Sequence, residues 1–200
     1  LGKNHWDDVA GDFTDEWKKL VEDAAYMQQE YVVSPWMDAS MRETYDDFLK
    51  YMEVFNKCGE LCKQAGMRFG YHNHDFEFSE TLNGEVLWDL MMKNTDADKV
   101  VMQLDTGNMY VAGALAKDLL ERYPGRYDNI HIKDMIQTAD GTSFESTILG
   151  TGVLPIKEIT DLARDSGTKL FVIEQEAYQG KMPMDCMRQN LEVVKSWGYV

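Results

Sequence analysis

Four short stretches of this 200-residue sequence end in side chains that can bind a metal ion or move a proton. Each stretch is a run of β-forming residues, and each is followed by a helical pattern. Their last residues are His72 with His74, Asp105, His131 and Glu174. Imidazole and carboxylate groups are common ligands of divalent metals and common general acids and bases. We therefore expect four strands whose carboxyl ends converge on one chemical site.

The elements that must position these residues alternate between helix and strand along the chain. Strands are predicted at 31–36, 67–74, 99–105, 128–133 and 168–174. A long amphipathic helix is predicted over 42–65, and Thr14 is expected to cap an earlier helix. Residues 135–151 are predicted to be a loop, and Glu77 is expected on a loop surface beyond its strand.

Strands alternating with amphipathic helices indicate an α/β fold with a parallel sheet. A doubly wound sheet and a (β/α)₈ barrel both fit, but no G-x-G-x-x-G loop follows a strand, which disfavours dinucleotide binding. Reactive residues at four successive strand ends favour the barrel. An intact barrel has about 250 residues, so we predict one domain over residues 1–200 that lacks the first three βα units. The strand near 31–36 should then be an exposed edge, or be covered by another chain.

The composition and charge of the chain disfavour two classes of partner, nucleic acids and membranes. The formal net charge is −15, which opposes nucleic-acid binding, and no apolar run has the length of a membrane span. The three cysteines are expected to be buried thiols. Localisation is not determined by the sequence. The cytoplasm is favoured, and a targeting segment could precede the non-methionine start.

The motifs YHNHDFEF, QLDTGN, HIKD and VIEQE together resemble the xylose-isomerase-like barrel superfamily of sugar phosphate isomerases and epimerases. The resemblance covers nearly the whole chain and matches the last five βα units of that barrel. It implies a divalent metal, Mn²⁺, Mg²⁺, Co²⁺ or Zn²⁺, at the mouth formed by the strand carboxyl ends. Asp105, His131 and Glu174 match the family's aspartate, histidine and last glutamate ligands.

The fifth strand of the barrel departs from the family pattern. Many relatives carry Glu-Asn-His there, whereas this chain has His72-Asn73-His74. Because a neutral imidazole binds the same metals, we predict a metal set of His72, Asp105, His131 and Glu174, about 2.0–2.3 Å from the ion. In relatives that interconvert ketose epimers, two strand-end glutamates move the protons, so that mechanism would require His72 to take over one role.

Further residues are predicted to act at this site. The predicted catalytic residues are Glu174, His72 and Lys133, and the predicted substrate-binding residues are Trp36, His74, Asn108 and Glu176. Alternatives remain for several of them. The two histidines could be a solvated strand end, Asp105 could be a cap, and His131 could be structural. Lys133 could form an ion pair with Asp134, either at the surface or just outside the ligand set. His74 or Glu176 could replace His72 as a ligand.

The implied function is a metal-dependent isomerase or epimerase of a small-molecule sugar or sugar phosphate, acting by proton transfer next to a carbonyl. A keto-sugar dehydratase or lyase would use the same groups. A phosphodiesterase of the AP-endonuclease type is disfavoured by the acidic charge and by the presence of only four histidines. A non-catalytic sugar-binding barrel is a further alternative. No nucleic-acid or membrane partner is expected, and a homo-oligomer is possible.

Overall fold

The computed structural model describes residues 1–199, which form two compact units. The first unit is Leu1–Gln103 and the second begins at Leu104. The prediction of a single domain over residues 1–200 stays a prediction. No helix among the described residues is both long and apolar enough to cross a membrane.

The first unit contains short and long strands separated by helices. In chain order its strands are β1 (Trp6–Asp7), β2 (Asp12–Phe13), β3 (Tyr31–Ser34), β4 (Arg68–His72), β5 (Thr81–Leu82), β6 (Glu85–Val86) and β7 (Val100–Asp105), the last of which ends in the second unit. Its helices are α1 (Asp15–Tyr26), α2 (Tyr45–Gln64), α3 (Phe76–Ser79) and α4 (Leu87–Asn94), with 3₁₀ turns at Lys3–His5 and Ala39–Met41.

Parallel pairing organises the first unit. β3 pairs with β4 from Tyr31 opposite Arg68, and β4 pairs with β7 from Phe69 opposite Val100. Among the described residues, β4 is the strand that pairs with β3, so β3 lies at an edge. Coverage of that edge by another chain stays a prediction.

Helix α2 begins at Tyr45, three residues after the predicted start, and ends at Gln64, one residue before the predicted end. The Thr44 side chain accepts a hydrogen bond from the Asp47 backbone, which satisfies an otherwise unpaired amide at the helix start. Gly66 follows the helix with a φ of 79°, a conformation that glycine adopts without steric cost. Phe48, Met52, Phe55 and Cys62 form the buried apolar stripe of the helix. Phe55 packs edge-on against Phe69 of β4 at 5.4 Å between ring centroids. This contact fixes the helix against the strand that carries His72.

The second unit continues the alternation. Its strands are β8 (Asn129–Ile132), β9 (Asp134–Gln137), β10 (Phe144–Thr147) and β11 (Leu170–Ile173). Its helices are α5 (Thr106–Val111), α6 (Ala116–Arg122), α7 (Ile156–Asp165) and α8 (Pro183–Ser196). β8 and β11 pair in parallel with His131 opposite Val172, so both strands present their carboxyl ends in the same direction.

The prediction of a loop over 135–151 is wrong for much of that segment. β9 and β10 form an antiparallel hairpin in which Phe144 lies opposite Gln137 and Thr147 lies opposite Asp134. Asp140 closes the turn, accepting from the Thr138 hydroxyl at 2.6 Å and from the Thr142 amide at 3.1 Å. The Asp-Gly pair between two short β-forming runs was the signal for this hairpin.

Candidate metal centre

Asp105 ends β7 and also begins the helix that follows. Its Oδ1 accepts from the Asn108 backbone amide at 2.7 Å, which caps α5. The other oxygen, Oδ2, lies 3.1 Å from Lys133 Nζ. Burial raises the pKa of Asp105, and the Lys133 ammonium opposes that rise. The fully buried Asp105 carboxylate thus caps α5 with one oxygen and leaves the other available as a candidate metal ligand.

His131 and Glu174 come together because β8 and β11 are neighbours. His131 lies within β8, and Glu174 follows β11 directly, with its backbone amide donating to Ile132 O at 3.3 Å. His131 Nδ1 makes a close hydrogen bond with Glu174 Oε2 and lies 4.0 Å from Asp105 Oδ2. Asp105, His131 and Glu174 each offer a ligand atom, and these atoms lie within 4.8 Å of one another.

Charge partners keep Glu174 ionised. Burial alone would raise its pKa, but the hydrogen bond from His131 and the charge of Lys133 outweigh burial and lower the pKa of Glu174 to about 2. An ionised carboxylate is the form that binds a metal or accepts a proton.

Lys133 is a buried cation among three carboxylates. The residue is 1% exposed, and its Nζ lies 2.8 Å from Glu176 Oε2, 3.1 Å from Asp105 Oδ2 and 3.3 Å from Glu174 Oε1. It also donates to Asn108 Oδ1 at 3.4 Å. The alternative of a surface ion pair with Asp134 is wrong, because the ammonium is buried against these other side chains. Asn108 and Glu176, both predicted to bind substrate, therefore surround the same lysine.

Asp134 organises the loop that follows the β9–β10 hairpin. Its Oδ2 accepts from the amides of Gly150 and Gly152, each at 2.9 Å, and its Oδ1 accepts from Leu154 at 3.1 Å. A Cβ atom at Gly152 would lie 2.3 Å from Asp134 Oδ1. The glycine is needed because the backbone approaches the carboxylate closely.

Two positioning residues were not recognised in the sequence. Thr106 Oγ1 accepts from the Lys133 amide at 2.8 Å and donates to the Lys133 carbonyl oxygen at 2.9 Å. Ser146 Oγ accepts from the amides of Glu176 and Ala177 at 2.7 and 2.8 Å. Thr106 follows Asp105 directly in the QLDTGN motif, a position that could have indicated it. No local sequence pattern indicates the role of Ser146, because its hydrogen-bond partners lie on a distant segment of the chain.

The remaining predicted site residues lie in the first unit. His72 is the last residue of β4, and its Nδ1 lies 3.0 Å from Gln103 Oε1. The strand ends there, two residues earlier than predicted, so strand alternation does not orient His74. The His74 ring meets the Trp36 ring edge-on at 4.6 Å between centroids. Trp36 is 48% exposed and presents an aromatic surface to solvent.

The expectation that Glu77 lies on a loop surface is wrong. After β4 the chain turns into α3, which returns Glu77 to a fully buried position beside Tyr71. Its carboxylate accepts a close hydrogen bond from the Tyr71 hydroxyl and another from the His74 amide at 2.8 Å. Burial raises the pKa of Glu77 from its usual 4.5 to about 7, against the opposing hydrogen bonds. Glu77 therefore braces the turn that carries His74.

The residues of the second unit fit a divalent metal. Asp105 and Glu174 are hard oxygen donors and His131 is an imidazole donor, a mixture that suits Mn²⁺, Co²⁺ and Zn²⁺. Three carboxylates, those of Asp105, Glu174 and Glu176, surround one ammonium group, so two formal negative charges remain among these four side chains. A fully buried carboxylate such as Asp105 is costly unless a cation neutralises it.

Parallel strands alternating with helices, together with a candidate His/Asp/Glu metal site at the strand ends, define an α/β protein of the (β/α)₈-barrel class. The chain belongs to the xylose isomerase-like TIM barrel family, whose sequence profile matches residues 3–197. This confirms the predicted family.

Solved structures support the same fold. A sugar phosphate isomerase/epimerase from Parabacteroides distasonis is 27% identical, with a TM-score of 0.80, over 92% of this chain and 63% of that one. A xylose isomerase-like TIM barrel protein from Mycobacterium smegmatis, solved in complex with magnesium, is 17% identical with a TM-score of 0.66, over 91% of this chain and 65% of that one. The predicted fold of five parallel strands with helices, forming part of a barrel, is confirmed.

Curated relatives include an inosose dehydratase from Lacticaseibacillus casei, which is 28% identical over 143 residues. The match covers 65% of this chain and 47% of the relative. The chain thus spans about half the length of the curated relatives it matches.

Proposed function

We propose that the protein is a divalent-metal-dependent sugar or sugar phosphate isomerase or epimerase that moves a proton next to a carbonyl. The observation that carries the proposal is the cluster of Asp105, His131 and Glu174, whose ligand atoms lie within 4.8 Å of one another at strand ends. Membership of a family whose solved neighbours include sugar phosphate isomerases/epimerases supports a sugar substrate.

Asp105, His131 and Glu174 would hold the metal, with His72 as the fourth ligand. The His72 assignment rests on its place at the end of β4 and on the family pattern. Mn²⁺, Mg²⁺, Co²⁺ and Zn²⁺ are the candidate ions, and the Mycobacterium smegmatis neighbour contains magnesium. When bound, such an ion polarises a carbonyl group and stabilises negative charge on its oxygen.

The chain's own residues would perform the proton transfer. Glu174 is ionised and therefore able to accept a proton from the carbon next to the carbonyl. His72 would serve as the second proton-transfer group, the position at which relatives carry glutamate. Lys133 would stabilise the negative charge that develops on oxygen, because it is the buried ammonium at this site.

Substrate contacts are proposed for four residues. Trp36 and His74 form an aromatic pair whose exposed indole face suits the C–H surface of a sugar ring. Asn108 and Glu176 contact Lys133 and would bind sugar hydroxyl groups beside it.

A keto-sugar dehydratase is the second candidate, favoured by the inosose dehydratase among the relatives. Both reactions begin with removal of a proton next to a carbonyl. An epimerase returns a proton to the same carbon, whereas a dehydratase breaks the adjacent C–O bond and releases water. A histidine at position 72 suits the base of either reaction.

The test compares the wild type with Glu174→Gln, and uses Glu158→Gln on the exposed side of α7 as the matched control. Metal content is measured after dialysis, and turnover is followed by NMR in D₂O on a panel of keto-sugars and inososes. We expect Glu174→Gln to lose at least about tenfold in metal affinity or turnover, and the control to lose neither. A deuterium-containing isomer or epimer of the substrate identifies isomerisation or epimerisation, whereas a product that has lost water identifies dehydration. Stoichiometric metal and unchanged activity in Glu174→Gln would overturn the assigned site. Metal or sugar binding without turnover would indicate a binding protein.

A further inference from the structure

Lys133 is a lysine that the fold holds in place. A Cβ atom at Gly107 would lie 2.6 Å from Lys133 Cδ and 2.8 Å from its Cγ, so the glycine leaves room for the lysine stem. The Thr106 hydroxyl binds both the amide and the carbonyl of Lys133. The backbone and stem are therefore fixed, and the terminal ammonium is the part with freedom to change partners.

Two of the oxygens that hold this ammonium belong to candidate metal ligands. They are Asp105 Oδ2 at 3.1 Å and Glu174 Oε1 at 3.3 Å. The third, Glu176 Oε2 at 2.8 Å, belongs to a side chain outside the ligand set that is 68% exposed. A divalent ion and an ammonium that share the same two carboxylates repel each other and compete for the same oxygen lone pairs.

From this arrangement we propose that Lys133 is a built-in competitor of the divalent metal, and that Glu176 is the carboxylate that retains the ammonium when the metal binds. The inference rests on the proposed metal site and extends it, because it makes metal affinity a property of a residue that is not a ligand. In the absence of metal, Lys133 neutralises Asp105 and Glu174. Its contact with Glu176 lets the ammonium stay buried after those carboxylates turn to the ion.

The proposal predicts that two substitutions, each replacing a charged side chain with an uncharged one, change Mn²⁺ affinity in opposite directions. Lys133→Met keeps the apolar stem and removes the competing charge, so Mn²⁺ should bind at least about tenfold more tightly. Glu176→Gln removes the alternative partner and leaves the ammonium with Asp105 and Glu174, so Mn²⁺ should bind several-fold more weakly. Lys133→Arg retains the charge and should not tighten binding. General damage to the site would instead weaken binding in all three variants.

The experiment measures Mn²⁺ affinity by electron paramagnetic resonance of the free ion, at one pH above neutrality, on the whole chain. Lys157→Met, an exposed lysine paired with Asp161 on α7, controls for loss of one positive charge and should change affinity less than about twofold. Circular dichroism verifies that each variant is folded. If Lys133→Met does not fold, the direction of the Glu176→Gln effect decides.

The proposal is supported if Lys133→Met binds Mn²⁺ more tightly than the wild type and Glu176→Gln binds it more weakly. It is also supported if Lys133→Met binds Mn²⁺ and the wild type does not. If the wild type binds Mn²⁺ and a folded Lys133→Met binds it equally or more weakly, Lys133 does not compete with the metal. That result overturns the competition but not the metal site. If Glu176→Gln binds Mn²⁺ as tightly as the wild type or more tightly, the role of Glu176 is overturned. If Lys133→Met also fails to fold, the same result overturns the whole proposal. An absence of Mn²⁺ binding in the wild type and in every variant overturns both this proposal and the metal site.

Discussion

Replacing Glu77 with glutamine should change how the stability of the protein depends on pH. Glu77 is fully buried, and its two oxygens accept from the Tyr71 hydroxyl and the His74 amide. A glutamine has the shape and hydrogen-bonding groups of the protonated acid. Its carbonyl can accept from His74, and its amide can donate to the Tyr71 oxygen. Glu77→Gln therefore imitates the neutral carboxyl at every pH.

The magnitude follows from the shifted pKa. Burial raises the pKa of Glu77 from 4.5 in an ordinary environment to about 7 in the folded protein. Between these two values the folded state retains a proton that the unfolded state releases, so stability falls as pH rises. At about 1.4 kcal/mol per pKa unit, the wild type should lose on the order of 3 kcal/mol relative to Glu77→Gln across this interval. Below pH 4.5 the two proteins should differ by about 1 kcal/mol or less.

Urea unfolding at a series of pH values measures this difference. Tryptophan fluorescence is a suitable probe because four of the five tryptophans, Trp6, Trp17, Trp36 and Trp88, lie in the same unit as Glu77. Glu22→Gln, on the exposed side of α1, controls for the loss of one negative charge. A difference between wild type and Glu77→Gln that stays constant from acidic to neutral pH would refute the assignment of a buried carboxyl with a raised pKa.

Two further substitutions test other close contacts. Asp134→Asn should cost about 2–3 kcal/mol in urea unfolding, because it turns one acceptor of the loop amides into a donor; a loss below 1 kcal/mol would contradict the bracing role. Gly59→Ala should cost about 2 kcal/mol or more, because its Cβ would lie 2.3 Å from the Lys99 carbonyl oxygen. An unchanged melting temperature in Gly59→Ala would show that helix α2 and the chain before β7 are less closely packed than the structure indicates.

Much of the site was predictable because its residues occupy equivalent local positions. A β-forming run followed by a turn and a helical pattern locates a strand end, and Asp105 and Glu174 each lie within a residue of one. Parallel strands deliver such ends to one face, so a grouping could be expected before any distance was known. The start of α1 was predictable for the same local reason, because the Thr14 hydroxyl accepts a hydrogen bond from the Trp17 amide.

The partners of buried charged side chains could not be predicted from local sequence patterns. HIKD places Asp134 next to Lys133, and this adjacency made an ion pair between the two an alternative to a role of Lys133 in the site. In the structure, however, Lys133 follows β8 and Asp134 begins β9, so the two adjacent residues are held by different strands and take different partners. Lys133 contacts Glu174 and Glu176, more than forty residues away in the chain.

The sequence by itself therefore determined the family, the order of the five parallel strands, and the residue types at their ends, because these depend on local patterns. Tertiary structure alone decided that Glu77 is buried and that Lys133 contacts two candidate metal ligands. The physical reason is that burial and charge pairing depend on which segments the fold brings together. The energy of each such contact exists only once the distant segments meet.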